Sequence, residues 1–257
     1  MNDKMLKEMN NMAYGTMHRK LYEYVEEAIG LRIIKGEYKP GDTLPNEDAL
    51  CAEFGVSRGV IREAVKVLQK KGLVQPRPKI GTQIQSKTQW NLFDADVLVW
   101  KLKAGHQLKF LAKVTEVRRI IESEAAKLSA ERATAAEVAE IQLLFNRLEG
   151  IMSDEVKFNY ETYLQADMAL HTAILEASHN ELLAQIGRTM RHAVQTARQA
   201  DIRDFDIILA SQPFHAAIMK AIVRKDPQSA YTASCEMFDQ IWEDMPAVHS
   251  NNISDGQ

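Results

Sequence analysis

The sequence predicts a mainly α-helical protein of two domains, a small N-terminal one closed by a β-hairpin and a larger all-α helical bundle. Three observations lead there. Two short helical patterns, separated only by Gly55 and Val56, are followed by two strand-like pieces around a turn at residues 79–81. Beyond residue 92, apolar residues recur at helical spacing through long segments with few Gly or Pro and no strong alternation. The charge is also divided, since residues 1–90 carry 15 Lys and Arg against 11 Asp and Glu, while the remainder of the chain is acidic. A length of 257 residues suits two domains, each able to bury a core.

The first domain is read in order. Residues 1–15 show no usable period and are expected to be a loose arm. Leu21, Val25, Ala28, Ile29 and Ile33 mark an amphipathic helix over residues 16–35 that stops at Gly36. A connector punctuated by Gly36, Pro40, Gly41 and Pro45 leads to Asn46, an N-cap for a short helix ending near Phe54. Ser57 caps the next helix, and Gly72 closes it. In that helix Val60, Ile61, Val65, Val67 and Leu68 approximate an apolar stripe, while Arg58, Arg62, Lys66 and Lys70 recur at four-residue steps on another face. Between Ser57 and Lys87 there are eight cations, with only Glu63 opposing them. An anionic partner is expected there, and a capped cationic helix behind a tight joint suits the major groove of DNA. The hairpin after Gly72 then reads as a wing with Arg77 and Lys79 at its tip.

The stretch KGEYKPGDTLPNEDALCAEFGVSRGVIREAVKVLQKKGLVQPRPKIGT resembles the winged helix-turn-helix of GntR-family transcription regulators over nearly its whole length. The elements GD-LP, FGVSR, REA, L--KGLV and the wing GT carry the resemblance. It implies that Ser57, Arg58, Gly59 and Arg62 approach bases or phosphates of double-stranded operator DNA, with Lys66, Arg77 and Lys79 adding to the cationic face. Gly81 would let the wing tip meet the minor groove. Asp48 departs from the pattern, because several relatives carry a DNA-touching arginine at that place.

Residues 86–92 form the expected linker, so that residues 16–85 make the DNA-binding domain and residues 93–247 the helical one, with a tail at 248–257. After a short apolar segment at 94–102, helices are expected over 108–132, 135–152, 159–178, 181–200, 206–224 and 227–245, with breaks at Thr134, Asn180 and Asp226. Polar residues fall among the apolar positions. Asp167 and His171, four apart, share a helical face and can bind one divalent metal from adjacent turns. His215 sits beside apolar positions two helices later, and one of Arg118 and Arg119 must point inward. Taken singly, these signals are weak and read first as a surface pair, a satisfied core histidine and a helix salt bridge.

The helical part resembles the ligand-sensing FCD domain of FadR-type GntR regulators, in which an arginine of an EVR motif, a D-x-x-x-H pair and a later histidine line one cavity. The resemblance implies that Arg118 holds the carboxylate of an acidic effector and that Asp167, His171 and His215 bind a divalent metal, zinc by preference. Many relatives place a fourth histidine ligand where this chain has Met237, and His192 is a substitute if its helix turns inward. WNLFDADVLVW and ERATAAEVAEI are similar to galactonate-operon repressors and related sugar-acid regulators, which implies a hydroxylated acid with Asn146 among its partners. Trp90 and Trp100 are expected to pack the domain junction.

The expectation is therefore a metabolite-responsive repressor of sugar-acid catabolic genes, a homodimer released from its operator by a small carboxylic acid. A metal-dependent enzyme built on Asp167, His171 and His215 is the competing class, but it lacks an evident general base and leaves the basic helix without a purpose. No apolar run approaches the roughly 18 residues of a membrane span. The polar start lacks a signal-peptide core, and Cys51 and Cys235 read as buried free thiols, so the cytoplasm is the expected location.

Overall fold

The computed structural model describes residues 20–104, 107–153, 158–198 and 209–243. The expected arm at 1–15, the tail at 248–257 and the outer ends of several expected helices lie outside the described residues. The chain divides into two compact units, Met1–Gly105 and His106–Gln257.

In the first unit, α1 (residues 20–35) puts Val25, Ile29 and Ile33 into the core at four-residue steps. α2 (Glu47–Phe54) starts where Asn46 accepts a hydrogen bond from the Ala49 amide at 2.9 Å, and it ends at Gly55, whose φ of 65° is the left-handed conformation a helix stop requires. α3 (Arg58–Lys70) follows at once, capped by Ser57 and burying Val60, Ile61, Ala64 and Leu68. β1 (Val74–Arg77) and β2 (Gly81–Ile84) pair antiparallel, with Val74 opposite Ile84 and Arg77 opposite Gly81. Lys79 takes a positive φ of 64° at the tip. These elements are the expected winged helix-turn-helix.

α4 (Ala95–Lys103) packs differently from its expected place in the helical domain. Trp90, Val97 and Trp100 are buried in the core of the first unit, with Trp100 against Gly30 of α1. Lys71, at the end of α3, is buried and donates to Asp94 at 2.8 Å and to Asp96 at 2.6 Å. Burial opposes its charge, but these two carboxylates outweigh it and raise its pKa above that of an ordinary lysine. Lys71 thus belongs to the core and not to the cationic surface counted from the sequence. The stretch expected to be a linker is pinned to α3, because a Cβ on Gly72 would stand 2.1 Å from the Gln89 carbonyl oxygen.

The second unit is a bundle of α5 (Gln107–Arg132), α6 (Ala135–Met152), α7 (Tyr160–Ala177), α8 (Glu181–Arg198), α9 (Gln212–Val223) and α10 (Pro227–Glu243). The long α5 packs against α7, α8, α9 and α10. The three expected breaks are N-caps: Thr134 closes a capping box with Glu137, while Asn180 and Asp226 accept from the Leu183 and Ser229 amides. The helix expected over 206–224 is interrupted in its described part at Ser211, with Pro213 in the first turn of α9, where its missing N–H costs nothing. Both cysteines are free, Cys235 buried and Cys51 only partly so. No described helix is long and apolar enough to cross a membrane.

Two glycines separate backbone strain from crowding. Gly36, with a φ of 83°, has open space where a Cβ would go, whereas Gly72, with a φ of 75°, does not. Gly36→Ala should cost about 1 kcal/mol in chemical denaturation, the left-handed penalty alone. Gly72→Ala should cost at least twice as much; equal losses would show that the 86–90 backbone yields freely.

Candidate functional site

The first candidate surface is the outer side of α3 and the wing. Ser57, Arg58, Gly59, Arg62, Lys66, Arg77, Lys79 and Gly81 are all exposed on it. Three of these cations are held by carboxylates. Arg58 Nη2 lies 2.8 Å from Asp48 Oδ1, Arg62 Nε donates to both oxygens of Glu47 at 2.9 and 3.0 Å, and Lys66 Nζ donates to Glu63 at 2.7 Å. The hydrogen bond from Arg62 holds Glu47 below the ordinary carboxylate range. Among the described residues, Lys70, Arg77 and Lys79 enter no ion pair.

The second candidate is a cavity of about 100 Å³ within the helical unit. Asp167 and His171 reach it from α7 and His215 from α9. His171 Nε2 and His215 Nε2 are 3.1 Å apart, and Asp167 Oδ1 lies 3.5 and 3.4 Å from them. These three atoms form a nearly equilateral triangle. Three tetrahedral ligands of a zinc-sized ion, each about 2.0–2.1 Å from it, stand roughly 3.3–3.4 Å from one another, so the donor set fits a divalent metal. The buried Nδ1 of His215 has no hydrogen-bond partner.

Two residues that sequence reasoning passed over complete the site. Glu122 of α5 is fully enclosed, with Oε2 3.3 Å from His171 Nδ1. It also accepts from Arg118 Nε at 2.7 Å and from Arg191 Nη1 at 2.6 Å. Arg191 of α8 donates its other terminal nitrogen to Asp167 Oδ2. The two oxygens of Asp167 are therefore divided, Oδ2 to the guanidinium and Oδ1 to the histidines. A His171 that donates Nδ1–H to Glu122 keeps a lone pair on Nε2 facing the cavity, the arrangement that orients metal-binding imidazoles. Both additions had signals in the sequence. Glu122 stands four residues after Arg118 on the inward face, and Arg191 falls in the buried row Ala184, Arg191, Val194 of α8.

Burial opposes ionisation of both carboxylates, but Arg191 holds Asp167, and Arg118 with Arg191 holds Glu122, far below the ordinary range. Burial, aided by the charge of Arg191, lowers His171 to about 4, so its imidazole is neutral at physiological pH. Burial raises Tyr163, which keeps its phenol protonated beside Ser211.

The remaining sequence candidates are sorted by the helices that carry them. Arg118 faces the cavity and stacks over Phe238 at 5.2 Å, whereas Arg119 turns outward to Asp239. Met237 lines the cavity at the place expected for a fourth ligand. His192 is exposed and does not replace it. Asn146 does not reach the cavity: it follows the inward Phe145 on α6, is exposed and accepts from Gln142.

Residues 21–84 match the family described as bacterial regulatory proteins, gntR family, and residues 113–240 match the FCD domain. The chain is 33% identical over 215 residues to the HTH-type transcriptional regulator YieP of Escherichia coli K12, covering 84% of this chain and 91% of that protein. The chain belongs to the GntR family. This GntR regulator with an FCD domain is also 32% identical over 213 residues to the galactonate operon transcriptional repressor of E. coli K12, covering 81% of this chain and 90% of that one. Its fold is shared with E. coli McbR/YncC, at a TM-score of 0.50 and 18% identity over 90% of this chain and 99% of that one. Lar, which controls expression of the Listeria monocytogenes agr system, matches at a TM-score of 0.56 and 18% identity over 86% of this chain and 96% of the other. The family is one of DNA-binding transcription regulators, which sets aside the enzyme reading.

The neutral His171 has a consequence for stability. Its folded pKa, lowered to about 4 from an ordinary 6.5, means that the unfolded chain takes up this proton first as pH falls. The associated stability is fully present above about 6.5 and is lost progressively toward pH 4, below which Asp167 and Glu122 add their own losses. In chelator-treated protein the unfolding midpoint should fall between pH 7 and 4.5, and His171→Gln should flatten that fall. An unchanged slope would contradict a buried neutral imidazole.

Proposed function

We propose that this regulator is a homodimeric repressor whose hold on its operator is released by a small hydroxylated carboxylic acid, of the sugar-acid type, bound with a divalent metal in the cavity of the helical unit. The observation that carries this reading is the meeting of three metal-donor atoms and two arginines in one cavity of a chain that also bears an exposed recognition helix. The likeness to the galactonate operon repressor supports the sugar-acid class.

Asp167 Oδ1, His171 Nε2 and His215 Nε2 would hold the metal, with zinc the best match to two imidazoles and one carboxylate. When bound, that ion supplies a Lewis-acidic centre for the carboxylate and a neighbouring hydroxyl of the effector. The protein does the rest with its own residues. Glu122 and Asp167 balance Arg118 and Arg191, so the cavity without an ion is close to neutral. A divalent ion leaves an excess of positive charge that an anionic effector relieves. Arg118 and Arg191 line the wall that a carboxylate would face, while protonated Tyr163, Ser211 and Gln195 offer partners for hydroxyls. Met237 and Ile241 add apolar surface to the lining. Release of DNA then requires that the effector bind the non-DNA-binding arrangement more tightly than the bound one.

Two experiments test this reading. In an anisotropy titration the wild type should bind a selected operator duplex, a sugar acid should weaken that complex, and Arg58→Ala should lose at least tenfold in affinity. The absence of a selective complex would overturn the repressor reading. His215→Ala should lower the metal content measured by mass spectrometry and abolish the response to the acid while leaving operator affinity within about twofold. Retained induction by the acid would remove the metal from the mechanism.

A further inference from the structure

Three of the four cations repeated along α3 are neutralised by carboxylates of α2 and α3. Arg58, Arg62 and Lys66 are matched one for one by Asp48, Glu47 and Glu63, and every one of these six side chains is at least 40% exposed. Exposed ion pairs add little to folding stability, so stability alone does not account for the pairing of a DNA-facing arginine with a carboxylate.

The pair between α2 and the start of α3 is the informative one. Arg58 is the first residue of α3, where the positive end of the helix dipole disfavours a cation, and the first turn of α3 carries no acidic residue. Asp48 lies in the first turn of α2, where the dipole favours an anion, and Asn46 caps that turn. The two helix starts place Asp48 Oδ1 2.8 Å from Arg58 Nη2. A carboxylate at that position satisfies one terminal nitrogen, restrains the long side chain and repels any phosphate that approaches. The unused donors of the guanidinium stay available for a planar, two-acceptor partner such as the edge of guanine. By contrast, Lys70 at the end of α3 and Arg77 and Lys79 in the wing enter no ion pair among the described residues and are exposed to meet phosphates.

We propose that Asp48 is a specificity-determining residue, which holds Arg58 away from the phosphate backbone and reserves it for a base edge. The proposal rests on the DNA-binding reading of this surface. Recognition and attraction are then divided: Lys70 and the wing cations supply the sequence-independent hold, and the carboxylate-held arginines of α3 supply discrimination. A cation already paired with a carboxylate displaces fewer counterions, so α3 contributes less to the salt dependence of binding than its charge count implies.

The test compares wild type, Asp48→Asn and Lys79→Ala on two duplexes of equal length, one selected from a random library by the wild type and one scrambled, across a series of salt concentrations. Thermal unfolding confirms that each variant is folded. Asp48→Asn should raise affinity for the scrambled duplex by about three- to tenfold and steepen the logarithmic salt dependence by about one unit. Its preference for the selected duplex should drop by about tenfold, as expected when one base contact is lost to a phosphate. Lys79→Ala should weaken both duplexes alike and flatten the salt dependence by about one unit. In Arg58→Ala background the Asp48 substitution should change nothing. An Asp48→Asn protein that keeps both its preference and its salt slope overturns the proposal while leaving the DNA-binding reading intact. A wild type without any preference overturns that reading itself.

Discussion

A single buried carboxylate, Glu122, organises the helical unit. It is enclosed at the centre of α5, and an ionised carboxylate in that position is tolerable only because Arg118, Arg191 and His171 surround it. Its partners come from α5 itself, α7 and α8, and Arg191 continues to Asp167 on the next turn of α7. Removing one member of such a network leaves a charge without compensation, at a typical cost of about 3–5 kcal/mol. The same network settles which way His171 faces and which oxygen of Asp167 is available. The polar site is therefore part of the core that holds the bundle together, and its side chains come from α5, α7, α8 and α9.

The DNA-binding unit solves a different electrostatic problem. Its Lys71 is buried between Asp94, Asp96 and the ring of Trp100, which takes one cation off the surface and ties α4 to the end of α3. Its exposed cations are then divided between those with carboxylate partners on α3 and those without partners among the described residues, at the end of α3 and in the wing. Counting charges along the chain shows that an anionic partner is expected, but it does not show this division. The useful quantity is how many cations remain free to meet a phosphate.

Most of the architecture could be read from local signals, because the residues that stop and start helices act within three or four positions of themselves. Asn46, Ser57, Thr134, Asn180 and Asp226 all cap helices where expected, and Gly55 and Gly72 end them in left-handed conformations. Asp167, His171 and His215, weak signals when taken singly and joined in one set only by the family resemblance, do come together. What escaped was the outcome of contacts between distant helices. On α8 the helical spacing from Ala184 and Val194 favours Arg191 over the exposed His192 as the buried residue, but what Arg191 meets, Glu122 and Asp167, depends on packing between helices. Asn146 was misplaced for the same reason, since a rotation of one residue along α6 carries it to solvent. The assignment of α4 to the helical domain failed because the partners of Trp100 and of Asp94, namely Gly30 and Lys71, lie far back in the sequence.

The proposed coupling of acid and metal in one cavity is open to direct measurement. Thermal unfolding of the full chain should be followed against a panel of hydroxy acids from two to six carbons, once with zinc and once after removal of metal by a chelator. Acids of one chain length should raise the midpoint clearly in the presence of zinc and do so little or not at all without it, since a ligand stabilises the protein only as far as it binds the folded state. Equal stabilisation with and without metal, or none by any acid in the panel, would contradict it.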